Sequence, residues 1–190
     1  MFLFFCLDCF IKYNKGLLFM LSSKELIILF NDKYLDYSLH KHKALFTVED
    51  SNKLRGKIKG SHSKNLFLKN KKNNFFLISC DELTNINLKS ISKSLGLGNL
   101  SFAKENYLKN LLGVMPGSVT PFALLNNTKN NVNFYLEDKL YNAEFINFHP
   151  LVNTATVTIK SKDFVEFMIE NNKKIHIFSS SNETIVKTYG

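Results

Sequence analysis

From Met20 onward the chain carries two hydrophobic periods in turn. Ser22-Ser23-Lys24-Glu25 has the form of a capping box, and Leu26, Ile27, Leu29 and Phe30 follow on one helical face, which predicts a helix to about Lys33. Tyr34 to His40 then alternates, with Leu35, Tyr37 and Leu39 on one side, as a half-buried strand does. Thr47, with Glu49 and Asp50 in the first turn behind it, opens a short second helix that Gly56 ends. Lys64 to Lys69 and Phe75 to Cys80 are two apolar runs around the polar segment Asn70 to Asn74, and they predict an antiparallel pair. Asn87 caps a helix to Leu95 that Gly96 closes, and Lys104 to Leu112 is a further helix closed by Gly113.

Beyond Gly113 the strand period dominates. Phe122 to Leu125 and Val132 to Leu136 read as a second hairpin around residues 126–130, and Phe145 to Phe148 and Thr154 to Ile159 as two more strands. Ser161 is expected to cap a last helix that turns Phe164, Val165, Phe167 and Met168 to the core, and Lys174 to Phe178 to add an edge strand. Residues 179–190 read as a polar, frayed tail. Helices early, strands in the middle and a helix late, without regular alternation, predict an α+β fold: a single compact domain over residues 20–178 with a mixed, mostly antiparallel sheet flanked by helices. No internal repeat is visible.

Composition agrees with one ordinary core: 190 residues, 45% apolar and 22% charged. Residues 1–19 read as an extension ahead of an alternative start at Met20, because Asp8, Lys12 and Lys15 interrupt an apolar run too short to span a bilayer, and no signal-peptide pattern surrounds it. A formal charge of +9 suits a polyanionic partner, although only Arg55 among the 25 basic residues is arginine, and a Lys-, Asn- and Ile-rich chain without Trp is also what AT-rich coding produces. Three cysteines are too few for a disulfide framework, so a cytoplasmic location is expected. Cys6 and Cys9 have ligand spacing but lack a second pair, and His40 and His42 sit in a Lys-rich segment expected to be solvated surface; neither pair is read as a metal site. No nucleophile elbow surrounds Ser118, and Gly96-Leu97-Gly98 follows a helix, the wrong context for a dinucleotide site. No cofactor is called for.

The backbone punctuation is concentrated in one place. Two of the eight glycines and two of the three prolines fall within Gly113 to Pro121. That stretch, continued through Phe122-Ala123-Leu124, together with Ser63-Lys64-Asn65-Leu66-Phe67-Leu68-Lys69 and Asn147-Phe148-His149-Pro150-Leu151-Val152-Asn153-Thr154-Ala155-Thr156, resembles the YbaK/prolyl-tRNA synthetase-associated editing superfamily, and within it the freestanding Ala-tRNA(Pro) deacylases of the ProX type. Three segments in the family order, spread over most of residues 20–178, carry the resemblance. The family's lysine falls on Lys64, its Gly-x-x-x-Pro loop on Gly117 to Pro121 and its His-Pro pair on His149-Pro150; Ser61 departs from the second glycine of many relatives.

The resemblance implies hydrolysis of the ester between a wrong amino acid and the terminal ribose of a tRNA. Here the wrong amino acid is alanine on tRNA(Pro), an error that a proline pocket cannot exclude by size, since one or two methylenes discriminate by only about 1 to 3 kcal/mol. It places Lys64, Gly117 and His149 at the chemistry, with Asn65, Ser118, Val119, Thr120, Pro121, Phe148, Asn153 and Thr154 around the substrate. Its partners would be mischarged tRNA(Pro) and, transiently, prolyl-tRNA synthetase or elongation factor Tu, with no membrane. Two alternatives stay open from the residues: Cys-tRNA(Pro) or another mischarged tRNA as substrate, and a non-catalytic module binding tRNA or a synthetase.

Overall fold

The computed structural model describes residues 20–44 and 57–190; the extension at residues 1–19, the Cys6/Cys9 pair, Arg55 and the helix expected from Thr47 to Gly56 lie outside them. Helix α1 spans Ser23–Asp32 behind the expected capping box, in which the Ser22 side chain accepts from Glu25 N and the Glu25 carboxylate accepts from Ser22 N. Strand β1 is Tyr37–Lys41, shorter than its alternating pattern. Strands β2 (Ser61–Lys69) and β3 (Phe75–Asp81) pair antiparallel with Leu66 opposite Ile78. Helix α2 (Leu88–Ser94) starts where Asn87 accepts from Lys89 N and Ser90 N. A two-residue strand, β4 (Ser101–Phe102), leads into α3 (Glu105–Leu112), which ends at Gly113.

The second half departs from the apolar pattern in four places. Phe122 to Leu125 is no strand: Pro121, whose ring presets φ, begins a wholly buried 3-10 helix, Pro121–Asn126. The expected hairpin is therefore absent, and β5 (Val132–Glu137) instead runs parallel to β3. After α4 (Asp138–Asn142), β6 (Phe145–Phe148) and β7 (Ala155–Lys160) pair antiparallel as expected. Helix α5 is Ser161–Glu170, but Ser161 is its first residue and not its cap; its hydroxyl donates to the carbonyls of Leu140 and Tyr141, tying α5 to α4. Strand β8 (Ile175–Ser179) is internal, between β5 and β9 (Thr184–Tyr189), and β9 occupies what reads as a frayed tail. Its side chains are mostly exposed, so no apolar stripe marks it, and its main chain is held by pairing with β8.

The strands form one mixed sheet in the order β1-β7-β6-β2-β3-β5-β8-β9, with β4 beside β2. Pairs β2/β6, β3/β5 and β5/β8 are parallel and the others antiparallel, so the expected mixed, mostly antiparallel α+β architecture holds. One face carries the main core, where Phe67, Phe134, Ile146, Phe148 and Val157 meet α1, α3, the 3-10 helix and α5. Phe122 sits at its centre, with ring centroids 5.1 Å from Phe30, 5.8 Å from Phe148 and 5.6 Å from Phe164. The opposite face is divided. Leu68, Phe76, Ile78 and Tyr135 form a smaller apolar cluster with Ile91 of α2 and Leu97. Towards β6 and β7 that face turns polar, with Asn147, Thr156 and Thr158 buried.

Candidate active site

Strand alternation places Lys64 on the divided face, together with His62 and, across the β2/β6 and β6/β7 pairings, Asn147 and Thr158. Asn147 is a staple: its Nδ2 donates to the carbonyls of Lys59 (2.9 Å) and Ser61 (3.3 Å), and its Oδ1 accepts from Thr158 Oγ1 at 2.6 Å. Ser63 Oγ donates to Asn147 O at 2.7 Å. Gly60, at φ +96°, makes this approach possible, since a Cβ there would lie 2.6 Å from the carbonyl oxygen of Phe145. The segment ahead of Lys64 therefore depends on Gly60, and Ser61 is accommodated as the first residue of β2.

The outer side of β2 is shared. β6 pairs with Ser61 and His62, and β4 with Leu68 and Lys69, so residues 64–66 have no strand partner on that side among the described residues. Lys64 stands at this notch. Its Nζ donates to Glu82 O at 3.2 Å and to Thr84 O, in the loop after β3. An ammonium has three N–H donors, so two carbonyls fix the group and leave one donor to spend elsewhere.

That loop is fixed in turn by Glu137, a fully buried carboxylate at the end of β5. Its oxygens accept from Asp81 N at 2.7 Å, from Thr84 Oγ1 at 2.8 and 3.1 Å, and from Ser180 Oγ. Lys139 Nζ lies 3.9 Å away and donates to Thr84 Oγ1. Glu137 thus positions Lys64 through Thr84, a role the sequence reading missed; the available signal was a charged residue closing the apolar run Phe134-Tyr135-Leu136. Cys80, opposite Lys64, is no nucleophile: burial pushes its thiol up to about 12, against the Lys64 charge, and its Sγ lies 3.8 Å from Lys64 O.

His62 is opposite Asn147 in the β2/β6 pairing; Lys64 comes two positions later in β2, and His149 two positions later in sequence, just past the end of β6. The Nδ1 of His149 lies 2.9 Å from Ala155 O, so Nδ1 carries the proton, closes the β6–β7 connection and leaves Nε2 as the acceptor. Burial lowers the imidazole's pKa below its ordinary value; the Ala155 bond opposes this and nearby His42 adds to it. His42, expected on solvated surface, is half-buried instead: its Nε2 meets Thr156 Oγ1 at 3.0 Å and its ring centroid is 6.2 Å from that of His149. Among the described residues no His, Cys, Asp or Glu cluster could hold a metal ion. Inside the same connection Leu151 is buried at φ +66°, a left-handed conformation that costs a residue with a Cβ roughly 1 to 2 kcal/mol.

The glycine-proline loop forms a turn from Met115 to Ser118, closed by Ser118 N donating to Met115 O at 3.0 Å. Pro116 takes its second position and Gly117, at φ +84°, its third, the arrangement of a type II turn. Ser118 is buried, Val119 packs on the main core, and Pro121 enters the 3-10 helix, whose Phe122 touches the ring of Phe148 just before His149. Thr120 is completely buried and its hydroxyl has no partner.

The remaining expected residues separate. Asn65 lies on the face opposite Lys64, its Oδ1 accepting from Ser79 Oγ at 2.6 Å. Phe148 is a core ring, not a pocket wall. Thr154 is exposed and its carbonyl accepts from His42 N; Asn153 is half-buried beside it. Two buried side-chain atoms without a hydrogen-bond partner stand out among the described residues, His62 Nε2 and Thr120 Oγ1. One is two residues before Lys64 and the other is in the Gly117–Pro121 loop.

A mixed sheet with a lysine notch on its divided face and a rigid Gly-Pro turn beside the core defines an editing-domain fold, and the chain superposes on the crystal structure of a candidate trans-editing enzyme for prolyl tRNA synthetase with a TM-score of 0.59 at 16% identity, over 80% of this chain and 90% of that one. The aminoacyl-tRNA editing domain family matches residues 42–167, and the chain belongs to that family. It is 37% identical over 132 residues to the mouse prolyl-tRNA synthetase associated domain-containing protein 1, covering 67% of this chain and 78% of the mouse protein. It is 30% identical over 138 residues to the prolyl-tRNA editing protein ProX of Acetoanaerobium sticklandii, covering 72% of this chain and 84% of that one.

Proposed function

We propose that this protein is a trans-editing hydrolase that deacylates Ala-tRNA(Pro), by attack of water on the aminoacyl ester and without a protein nucleophile. The observation that carries the reading is the pair of orphaned buried polar atoms, Thr120 Oγ1 in the Gly-Pro loop and His62 Nε2 directly ahead of the Ser63 to Lys69 segment, both within the residues 42–167 that match the family. An unsatisfied buried polar group costs about 1 to 3 kcal/mol, and such a cost is retained where a ligand supplies the missing partner.

An aminoacyl ester is already activated, so positioning and fixed dipoles suffice for the rate. Lys64, anchored on two carbonyls, directs its remaining donor and its charge at the negative oxygen that develops, or at the terminal phosphate. The turn at Gly117 forms one wall against the ester, with Ser118 and Thr120 behind it. His149, neutral and accepting at Nε2, accepts a hydrogen bond from the ribose hydroxyl or the substrate ammonium and so orients the ester. The family and the ProX relative support prolyl-tRNA editing, and the strings at Val119 to Leu124 and Phe148 to Thr156, which resemble those of Ala-tRNA(Pro) deacylases, favour alanine.

The test is release of amino acid from four charged tRNAs incubated with the protein: Ala-tRNA(Pro), Cys-tRNA(Pro), Pro-tRNA(Pro) and Ala-tRNA(Ala). Ala-tRNA(Pro) is expected to be cleared fastest and Pro-tRNA(Pro) to survive. Equal rates on all four would remove the editing assignment, and faster clearance of Cys-tRNA(Pro) would move the substrate.

A further inference from the structure

The positive charge of this chain is lopsided. Residues 57–112 hold ten lysines against three acids, Asp81, Glu82 and Glu105, whereas residues 133–190 hold six lysines against seven acids. Part of the excess gathers where β4 closes the far end of the Lys64 notch. Phe102 is 65% exposed, although its backbone is paired opposite Leu68. Lys104 beside it is exposed, as are Lys71 and Lys72 in the turn that follows β2. Lys69 is held in place between Asn73 Oδ1 at 2.9 Å and the Tyr107 ring, whose centroid is 5.5 Å from its Nζ. A bare aromatic on a two-residue strand contributes nothing to the core, and lysines around it make the site unsuited to an apolar partner.

We infer that this lip, formed by Phe102 with Lys71, Lys72 and Lys104, docks the acceptor end of the tRNA, with Phe102 stacking on an unpaired base and the lysines meeting phosphates. The inference rests on the proposed editing activity for its orientation. From Lys64 to the β4 pairing at Leu68 is four residues of strand, about 13 Å at ~3.3 Å each, close to the length of four stacked bases at ~3.4 Å. A single-stranded 3′ end with its ester at Lys64 therefore reaches Phe102 before the duplex begins. Aromatic stacking suits an unpaired RNA end, whose bases present a face and no fixed partner.

The experiment measures binding of the full chain to uncharged tRNA(Pro), and to the same tRNA trimmed of its unpaired 3′ end, by fluorescence anisotropy over a salt series. Phe102→Ala is expected to weaken binding of intact tRNA about tenfold and to leave the trimmed tRNA unaffected. Lys71→Ala/Lys72→Ala is expected to weaken both and to flatten the slope of log K against log salt by roughly 1.5. Both variants change exposed side chains, and circular dichroism checks that they fold. Unchanged affinity and slope would overturn the inference, as would an equal loss from Phe102→Ala on intact and trimmed tRNA. Deacylation of Ala-tRNA(Pro) separates the two readings. Wild-type turnover with kcat/KM unchanged in both variants sinks the surface and leaves the editing function, whereas the expected binding pattern without wild-type turnover keeps the surface and sinks the function.

Discussion

Lys64 is held by what lies beneath it. Two loop carbonyls take two of its donors, and Glu137 holds that loop from the end of β5. Replacing Lys64 by Ala removes two charge-assisted bonds, a loss of about 1 to 3 kcal/mol that a core of this size tolerates. Deacylation is expected to fall about a hundredfold or more, and a folded Lys64→Ala protein with full turnover would end its proposed role. Glu137→Gln has the same shape but turns an amide N–H₂ towards donors from Asp81, Thr84 and Ser180. It is expected to cost about 2 to 4 kcal/mol, read from urea midpoints. If Glu137 acts through Lys64, the activity losses are not additive: Glu137→Gln is expected to lower kcat in the wild type and to change little when Lys64 is already Ala. Additive losses would make Glu137 structural only. Lys64 was legible because the strand pattern and the family string both fall on it. Glu137 was not, because its partners come from the end of β3 and the loop behind it, 53 to 56 residues earlier, and from Ser180, 43 residues later.

Elements with local signatures were the legible ones. The Ser22/Glu25 box, the Asn87 cap, the glycine after α3 and the β2/β3 hairpin all satisfy their backbone within a few residues, so their cause is written in adjacent positions. The parallel pairs β3/β5 and β5/β8 join segments far apart, and no adjacent residues encode them. Phe122 to Leu125 shows the limit of a short apolar run, which fits a buried 3-10 turn as well as a strand. β9 carries the opposite lesson: Thr184-Ile185-Val186 is β-branched throughout, a strand preference masked by polar neighbours and by exposure. Removal of residues 180–190 tests its standing. It takes away the β8 partner, the Ser180 hydroxyl on Glu137 and the 2.6 Å Tyr141–Tyr189 bond, and leaves β8 as a bare edge. Tm is expected to drop by at least about 5 °C, with reduced turnover because Glu137 has lost a donor. An unchanged Tm would show that β9 adds nothing to the fold.

At the scale of the whole molecule, the sheet separates work between its faces. One face is filled by the aromatic core around Phe122, and the other keeps a polar region beside an apolar patch, so the proposed site lies where packing ends. Two histidines tied to this arrangement, His149 just past β6 and His176 stacked at 4.9 Å on Tyr135, are both held below the ordinary imidazole pKa, first of all by burial. Their folded pKa values lie below their unfolded ones, so the native state binds fewer protons than the unfolded chain as pH falls through the unfolded value near ~6.5. Their contribution to stability is therefore complete above that value and lost progressively below it, towards the folded pKa values, with a slope of at most about 1.4 kcal/mol per pH unit for each group. Urea midpoints measured at pH 7.5, 6.5 and 5.5 are expected to hold between the first two and drop at the third. His149→Asn also loses the bond to Ala155, so its plateau is expected to be lower, but its fall between pH 6.5 and 5.5 is expected to be shallower than that of the wild type. A slope identical in variant and wild type would mean that His149 does not titrate differently on folding. The neutral, accepting imidazole assigned to the active site would then lose its physical basis.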